Sequence, residues 1–161
     1  MTRFRSETLA KLVLLPLTVV GVVFVIGCSA QGDSPKLNLN DLPKSSGIID
    51  SGVSIITPQQ AFTLIEENKN NLDFVIIDSR RQSKYSVAHI ENAMNVYLNT
   101  SDIDSFRSAL SGLDKNRTYL TYCPTGCGSD AKEMKSLGFA KVYNLQGGIN
   151  QWIAEGLPVV E

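Results

Sequence analysis

Short apolar segments with strand character alternate with helical patterns along residues 53–158, and this alternation constrains the fold more than any other feature. The strand-like runs occupy residues 53–56, 74–77, 93–97, 117–122 and 142–145, and each is followed by a segment with helical character. Strands that alternate with helices pack as a parallel sheet covered on both faces. We therefore predict an α/β fold with a small, open, mostly parallel five-stranded sheet and helices on both faces.

Capping residues suggest where individual helices begin. Ser101 with Asp104 three residues later resembles a capping box, which would open a helix that runs through Leu110. A further helix is predicted over residues 130–137, and Gly138 would end it. Charged residues recur along this helix, and we expect them, Asp130 included, to form a solvated face.

The N-terminal part of the chain has the pattern of an export signal. Residues 2–11 are basic, residues 12–26 form an uncharged apolar run, and small residues follow. Val-Ile-Gly-Cys at residues 25–28 resembles a bacterial lipobox, which implies cleavage before Cys28 and lipidation of that residue. We predict a signal peptide over residues 1–27, a lipidated Cys28 with a flexible tether over residues 28–52, and a folded domain over residues 53–161.

This organisation predicts a lipid-anchored protein of the bacterial cell envelope that faces the periplasm or the exterior. Ser29, rather than aspartate, after the lipidated cysteine favours the outer membrane. The net charge of the 161-residue chain is −1, and we find no basic stripe or aromatic platform for nucleic acid. We predict no nucleic-acid partner; the membrane contact is through the lipid, and a protein partner is not identified.

A cysteine stands where the fourth strand-like run ends. Cys123 begins a loop that continues through Pro124, Thr125, Gly126, Cys127, Gly128 and Ser129 into the next helical pattern. Backbone amides of such a loop and the helix N-terminus favour a thiolate. In parallel sheets functional sites lie at the carboxyl ends of strands, and Asp78 follows another strand end. We therefore predict a functional thiol at Cys123 rather than a buried structural cysteine.

Several ordered segments resemble the rhodanese-like (sulfurtransferase) domain. They are Ile-Asp-Ser-Arg at residues 77–80, Ala-His-Ile-Glu-Asn-Ala-Met-Asn-Val at residues 88–96, the strand that ends at Cys123, Leu-Gly-Phe at residues 137–139, and the closing segment through Gly147, Gly148, Trp152 and Gly156-Leu-Pro. The resemblance implies that Cys123 accepts sulfane sulfur as a persulfide and passes it to an acceptor thiol or cyanide. It implies a small sulfur donor such as thiosulfate and no metal or organic cofactor.

Two departures from the family pattern concern the loop. The family has an arginine that recruits an anionic donor at the position of Gly128, and about two more residues between the cysteine and the Gly-Phe pair. A shortened loop could distort the amide cradle around Cys123. We consider Arg80 or Arg81, which follow the strand end at Asp78, as replacements for the missing arginine. Asp78 and Arg80 could also form an ion pair that ties down the loop.

Cys127 is the second thiol of the loop. A disulfide between Cys123 and Cys127 is possible if their Cα atoms lie within about 7 Å. The pair could be redox-active, a structural disulfide, or unpaired, and the sequence leaves these alternatives open. A thiol redox protein and a non-catalytic rhodanese-like binding module are therefore alternative functions. His89, the single histidine, is expected to bond to backbone; a zinc site with the two cysteines would lack a fourth ligand.

Overall fold

The computed structural model describes residues 48–49 and 52–161, which form six strands and five helices. The strands are β1 (Ile48–Ile49), β2 (Val53–Ile56), β3 (Phe74–Asp78), β4 (Ala93–Asn95), β5 (Thr118–Tyr122) and β6 (Lys141–Leu145). The helices are α1 (Pro58–Glu67), α2 (Gln82–Tyr85), α3 (Ile103–Leu110), α4 (Ser129–Ser136) and α5 (Gly148–Ala154). None of the helices in the described residues is long and apolar enough to cross a membrane.

The six strands form one sheet in the order β1-β2-β6-β5-β3-β4. Strands β2 to β6 are parallel, which confirms the predicted five-stranded parallel sheet. β1 is an additional antiparallel edge strand, and it lies within the predicted tether, residues 28–52. Gly52, in a left-handed conformation (φ +72°), precedes β2. The predicted signal peptide and Cys28 lie outside the described residues.

Helices cover both faces of the sheet, as predicted. On one face, α1 and α5 contribute Leu64 and Trp152 to a core that includes Leu120 of β5. On the other, α3 and α4 contribute Phe106 and Met134 to a core that includes Tyr119 of β5. Adjacent residues of β5 therefore point to opposite faces, as strand geometry requires, and both are fully buried. This double burial explains the continuous apolar character of the central strands.

Two helix starts and one strand end differ from the predicted positions. Asp102, rather than Ser101, caps α3, because its carboxylate accepts the backbone N–H of Ser105 at 3.3 Å. α4 begins one residue early, at Ser129, and β4 ends at Asn95 instead of continuing to residue 97. The first difference arises because a carboxylate accepts a charge-assisted hydrogen bond at a helix N-terminus.

The carboxyl ends of the neighbouring strands β6, β5 and β3 lie along one edge of the sheet. The segment after β3 begins at Ser79, the loop after β5 begins at Cys123, and the turn after β6 contains Gly147 and Gly148. The parallel topology therefore brings three loops from distant parts of the chain to a common edge.

Candidate functional site

Cys123 is anchored at its backbone by the start of α5. The N–H of Ile149 donates to the Cys123 carbonyl, and the N–H of Asn150 donates to the Pro124 carbonyl, both at 3.1 Å. These are among the first amides of α5, which have no partner within their own helix. α5 therefore fixes the first two residues of the loop.

Two loop amides converge on the sulfur of Cys123. The N–H groups of Gly126 and Cys127 donate to Sγ, with N···S distances of 3.1 and 3.2 Å. Gly126 and Gly128 both have φ +71°, a left-handed conformation that glycine adopts without strain. The shortened loop thus retains an amide cradle, which is formed by the N–H groups of Gly126 and Cys127. The same geometry accounts for glycine at position 128, where the family pattern has arginine.

Asn144 holds the cradle from the adjacent strand β6. Its side-chain amide donates to the Gly126 carbonyl at 3.1 Å, and the residue is fully buried. This contact orients the peptide whose neighbouring N–H groups face the Cys123 sulfur. The sequence pattern of β6 does not indicate this role, because the contact joins residues 18 positions apart.

The thiols of Cys123 and Cys127 are in direct contact. Their Sγ atoms are 3.1 Å apart, and no disulfide joins them. Cys123 is 6% exposed, whereas Cys127 is an exposed residue. The structure therefore holds the two cysteines as free thiols in contact.

The surroundings of the two thiols shift their pKa values in opposite directions. Burial and donation to Cys127 raise the pKa of the Cys123 thiol, and these effects outweigh the loop amides. Burial also raises the pKa of the Cys127 thiol, but the backbone N–H and hydroxyl of Ser129 and the Cys123 thiol lower it overall. The lowered pKa of Cys127 and its contact of 3.1 Å with the Cys123 sulfur position it to accept the proton of Cys123.

Asp130 is a buried carboxylate beneath the loop. It is fully buried, and its Oδ2 accepts hydrogen bonds from the hydroxyls of Thr121 and of Ser79, the latter at 2.8 Å. Its Oδ1 accepts the backbone N–H of Ala131 at 2.9 Å. The prediction that Asp130 lies on a solvated face is therefore wrong. The hydroxyls of β5 and of the segment after β3 satisfy a carboxylate in the first turn of α4.

We expect Asp130→Asn to lower the pKa values of both thiols, because the Asp130 charge raises them. A lower pKa moves half-ionisation, and with it the midpoint of thiol alkylation, to lower pH. Alkylation by iodoacetamide as a function of pH, with peptide mapping of each cysteine, measures the shift. Asp73→Asn, an exposed change that immediately precedes β3 at the opposite end of that strand from Asp78, is the matched control. An unchanged or higher midpoint in Asp130→Asn alone would show that its charge does not act on the thiols.

A cavity of about 320 Å³ opens in front of the thiol pair. Cys123, Cys127, Arg81, Lys84 and Tyr97 are among its lining residues. Arg81 and Lys84 are exposed cations, and no carboxylate lines the cavity in the described part of the chain. Arg81 donates through Nε to the Tyr97 hydroxyl at 3.0 Å, which holds the guanidinium near the entrance. The cavity is therefore suited to a small anion.

The Arg80 side chain is buried and paired with Asp78. Its Nε lies 3.0 Å from both Asp78 carboxylate oxygens, and a terminal nitrogen lies 2.6 Å from Asp78 Oδ2. The same nitrogen donates to the Ala88 carbonyl at 2.6 Å. Burial lowers the pKa of Arg80, but the pairing with Asp78 outweighs it and raises the pKa. Arg80 thus ties the segment after β3 to the strand end at Asp78. Both Arg80 and Arg81 line the cavity, but the Arg80 guanidinium is paired with Asp78, whereas Arg81 is exposed there.

The remaining candidate residues lie in structural positions. His89 Nδ1 is 3.0 Å from the Tyr85 carbonyl, and the two rings stack with centroids 3.8 Å apart. Trp152 is 1% exposed, and its indole N–H donates to the Pro158 carbonyl at 2.8 Å. Within residues 52–161, no group of histidine, cysteine and acidic side chains could hold a metal ion. Lys84, Tyr97, Asp130 and Asn144 are site residues that the sequence did not single out.

Known proteins share part of this sequence. A tRNA uridine(34) hydroxylase of Aster yellows witches'-broom phytoplasma is 30% identical over 112 residues, which are 68% of this chain and 33% of that protein. The enzyme of the same name from Onion yellows phytoplasma is 27% identical over 151 residues, 92% of this chain and 44% of that protein. The chain thus spans less than half the length of these curated relatives.

Solved structures of known proteins are similar to this fold. A rhodanese-related protein from Thermoplasma volcanium is 26% identical with a TM-score of 0.50, covering 65% of this chain and 95% of that one. The rhodanese-like domain of a protein from Anabaena sp. is 27% identical with a TM-score of 0.53, covering 65% and 76%. The family model described as the rhodanese-like domain matches residues 58–155, more than half of the chain. This protein belongs to the rhodanese-like domain family.

Proposed function

We propose that this protein is a sulfurtransferase in which Cys123 takes sulfane sulfur from a small anionic donor and carries it as a persulfide. The observation that carries the proposal is the position of Cys123. Its sulfur accepts two backbone N–H groups and lines a cavity that also exposes Arg81 and Lys84. The proposal does not include the tRNA substrate in the names of the relatives, because the chain covers only 33% of the first of them.

The proposed reaction begins with proton transfer from Cys123 to the Cys127 thiolate, 3.1 Å away. The Cys123 thiolate attacks the outer sulfur of thiosulfate, the new S–S bond forms, and sulfite leaves with the electrons of the broken bond. The product is the Cys123 persulfide anion. The two loop amides stabilise the negative charge on Sγ of the attacking Cys123 thiolate in the way an oxyanion hole stabilises oxygen. An acceptor thiol or cyanide then removes the outer sulfur.

Sulfite release tests this first step. With excess thiosulfate and no acceptor, the pre-reduced protein is expected to release one equivalent of sulfite per chain, because each Cys123 reacts once. Cys123→Ser is expected to release none. Cys127→Ser is expected to reach the same end point more slowly, because it lacks the thiolate that accepts the proton. Absence of sulfite from the unmodified protein, with thiosulfate bound, would indicate a binding module instead of an enzyme.

Arg81 is expected to replace the missing loop arginine as the contact for the donor. Arg81→Gln should raise KM for thiosulfate about tenfold and change kcat little, because a charge-assisted contact to an anion contributes about 1.5 kcal/mol or more. Lys84→Gln should have a smaller effect of the same sign. Lys141→Gln, an exposed change where β6 begins, is the control. Equal KM values for Arg81→Gln and the control would remove Arg81 from donor recognition.

A second candidate function is a dithiol redox protein that cycles between free thiols and a disulfide without sulfur transfer. The contact of 3.1 Å between the two sulfur atoms favours it. The two candidates differ in the role of Cys127. A redox protein loses all activity in Cys127→Ser, whereas a sulfurtransferase still releases sulfite from thiosulfate.

The cell-envelope location is a separate proposal that rests on the sequence. The apolar run of residues 12–26 and the lipobox-like residues 25–28 support lipidation at Cys28. Metabolic labelling with a fatty acid tests it. Label in the membrane fraction that is lost in Cys28→Ala supports the anchor, and unlabelled protein in the intact host contradicts it.

A further inference from the structure

Cys127 is the second thiol of the site. It has no covalent role if Cys123 alone carries the persulfide. Its Sγ lies 3.1 Å from the Sγ of Cys123, the atom that would become the inner sulfur of the persulfide. It is exposed, whereas Cys123 is buried. Its backbone N–H also donates to the Cys123 sulfur at 3.2 Å, so that the loop holds the two sulfur atoms together.

We propose that Cys127 is the resolving thiol of the Cys123 persulfide, so that the site reduces sulfane sulfur to hydrosulfide and ends as a Cys123–Cys127 disulfide. This inference rests on the proposed function, since it begins with the persulfide. It differs from simple sulfur transfer in its product, because no acceptor thiol or cyanide is needed to remove the sulfur.

The step balances without a further oxidant. The Cys127 sulfur attacks the inner sulfur of the persulfide, a bond forms between the two cysteine sulfur atoms, and the bond to the outer sulfur breaks. The outer sulfur leaves with both electrons of that bond and takes the proton of Cys127, so that it departs as hydrosulfide. One sulfane sulfur is reduced to sulfide while two cysteines are oxidised to a disulfide.

The geometry favours attack on the inner sulfur. The two cysteine sulfur atoms must approach by about 1 Å to reach the disulfide bond length of about 2.05 Å. Ser129 supports the attacking group, because its backbone N–H and hydroxyl help to lower the pKa of Cys127. A nucleophile with a low pKa next to the reacting sulfur satisfies the general requirements for thiol–disulfide exchange.

The exposure of the two cysteines also indicates the class of partner that restores the thiols. An external dithiol reaches the exposed Cys127 more readily than Cys123, which is 6% exposed. It would attack the Cys127 sulfur and expel the Cys123 thiolate, which the N–H groups of Gly126 and Cys127 stabilise. The second thiol of the partner then releases Cys127 as a free thiol. The partner is therefore a dithiol reductant, which leaves as a disulfide.

A single-turnover experiment on the reduced full chain tests the inference. The unmodified protein, Cys127→Ser and Cys123→Ser are treated anaerobically with thiosulfate. Sulfite and hydrosulfide are then measured, and peptide mapping locates each mass change. We expect the unmodified protein to release one equivalent of each and to lose about 2 Da as the Cys123–Cys127 disulfide. We expect Cys127→Ser to release sulfite alone and to gain about 32 Da on Cys123. Cys123→Ser should release neither product.

The outcomes separate this inference from the proposed function. Two results together would overturn the resolving role of Cys127: release of sulfite without hydrosulfide, and a persistent mass gain of about 32 Da on Cys123 of the unmodified protein. The proposed sulfurtransferase function would still stand. A gain of about 32 Da on Cys127 would also overturn the resolving role, since that result means attack on the outer sulfur. If neither the unmodified protein nor Cys127→Ser released sulfite, the proposed function itself would fail.

Discussion

Gly148→Ala is expected to destabilise the protein by about 3 kcal/mol or more and to abolish sulfite release. Gly148 has φ +59°, and a Cβ atom there would lie 2.2 Å from the Cys123 carbonyl oxygen and 2.7 Å from the Gly126 nitrogen. Both contacts are with backbone, so no side-chain rotation can relieve them. The loop must move, and the N–H of Gly126 then leaves the Cys123 sulfur. Urea unfolding and the sulfite assay measure the two effects.

Gly156→Ala provides the matched control. Gly156 also has a left-handed backbone (φ +73°), but no atom lies within 4 Å of its Cβ position. The loss of stability in Gly156→Ala should be limited to the conformational cost of about 1 kcal/mol, and sulfite release should be unchanged. If the two variants lost equal stability and activity, close packing of Gly148 against the loop would not hold the site together.

Asp78→Asn is expected to destabilise the protein by about 3–5 kcal/mol, because it leaves the Arg80 guanidinium buried without its counter-charge. Asp78 is fully buried and Arg80 is 9% exposed, and their closest oxygen and nitrogen are 2.6 Å apart. Glu66→Gln, which removes the carboxylate of the exposed Lys69–Glu66 pair, is the matched control and should change the unfolding midpoint little.

The double variant Asp78→Asn, Arg80→Met sharpens the test. Removing the orphaned cation together with its partner should recover part of the lost stability, because the penalty in the single variant comes from an uncompensated buried charge. Losses in Asp78→Asn no larger than in Glu66→Gln would show that the buried pair does not hold the segment after β3. Additive losses in the double variant would show that the two charges are not coupled.

The fold could be predicted because its evidence is local. The five parallel strands are apolar runs between helix signals, and Cys123 stands where one of these runs ends. β1 escaped the prediction because Ile48 and Ile49 form only two residues of strand within a polar segment. β1 forms by pairing with β2, and sequence periodicity does not reveal this pairing.

The chemistry of the site was less predictable because its contacts are long-range. Asp130 resembles the other charged residues of α4, and its burial depends on the hydroxyl of Ser79, 51 positions away. Arg80 and Arg81 are adjacent and chemically identical, yet only the structure shows that Arg80 is buried and paired with Asp78, whereas Arg81 is exposed at the cavity. The contact between Cys123 and Cys127 likewise depends on how the loop curls, which the left-handed glycines determine.

Peptide mapping of Cys127→Ser after treatment with thiosulfate, or in parallel with glutathione persulfide, tests the persulfide on Cys123 most directly. This variant cannot resolve the persulfide through a second loop thiol, so the sulfur should remain where it is accepted. We predict a gain of about 32 Da on the peptide that contains Cys123, removed by cyanide or a dithiol and absent in Cys123→Ser. An unmodified Cys123 with both donors, in folded protein, would contradict sulfur transfer at this site.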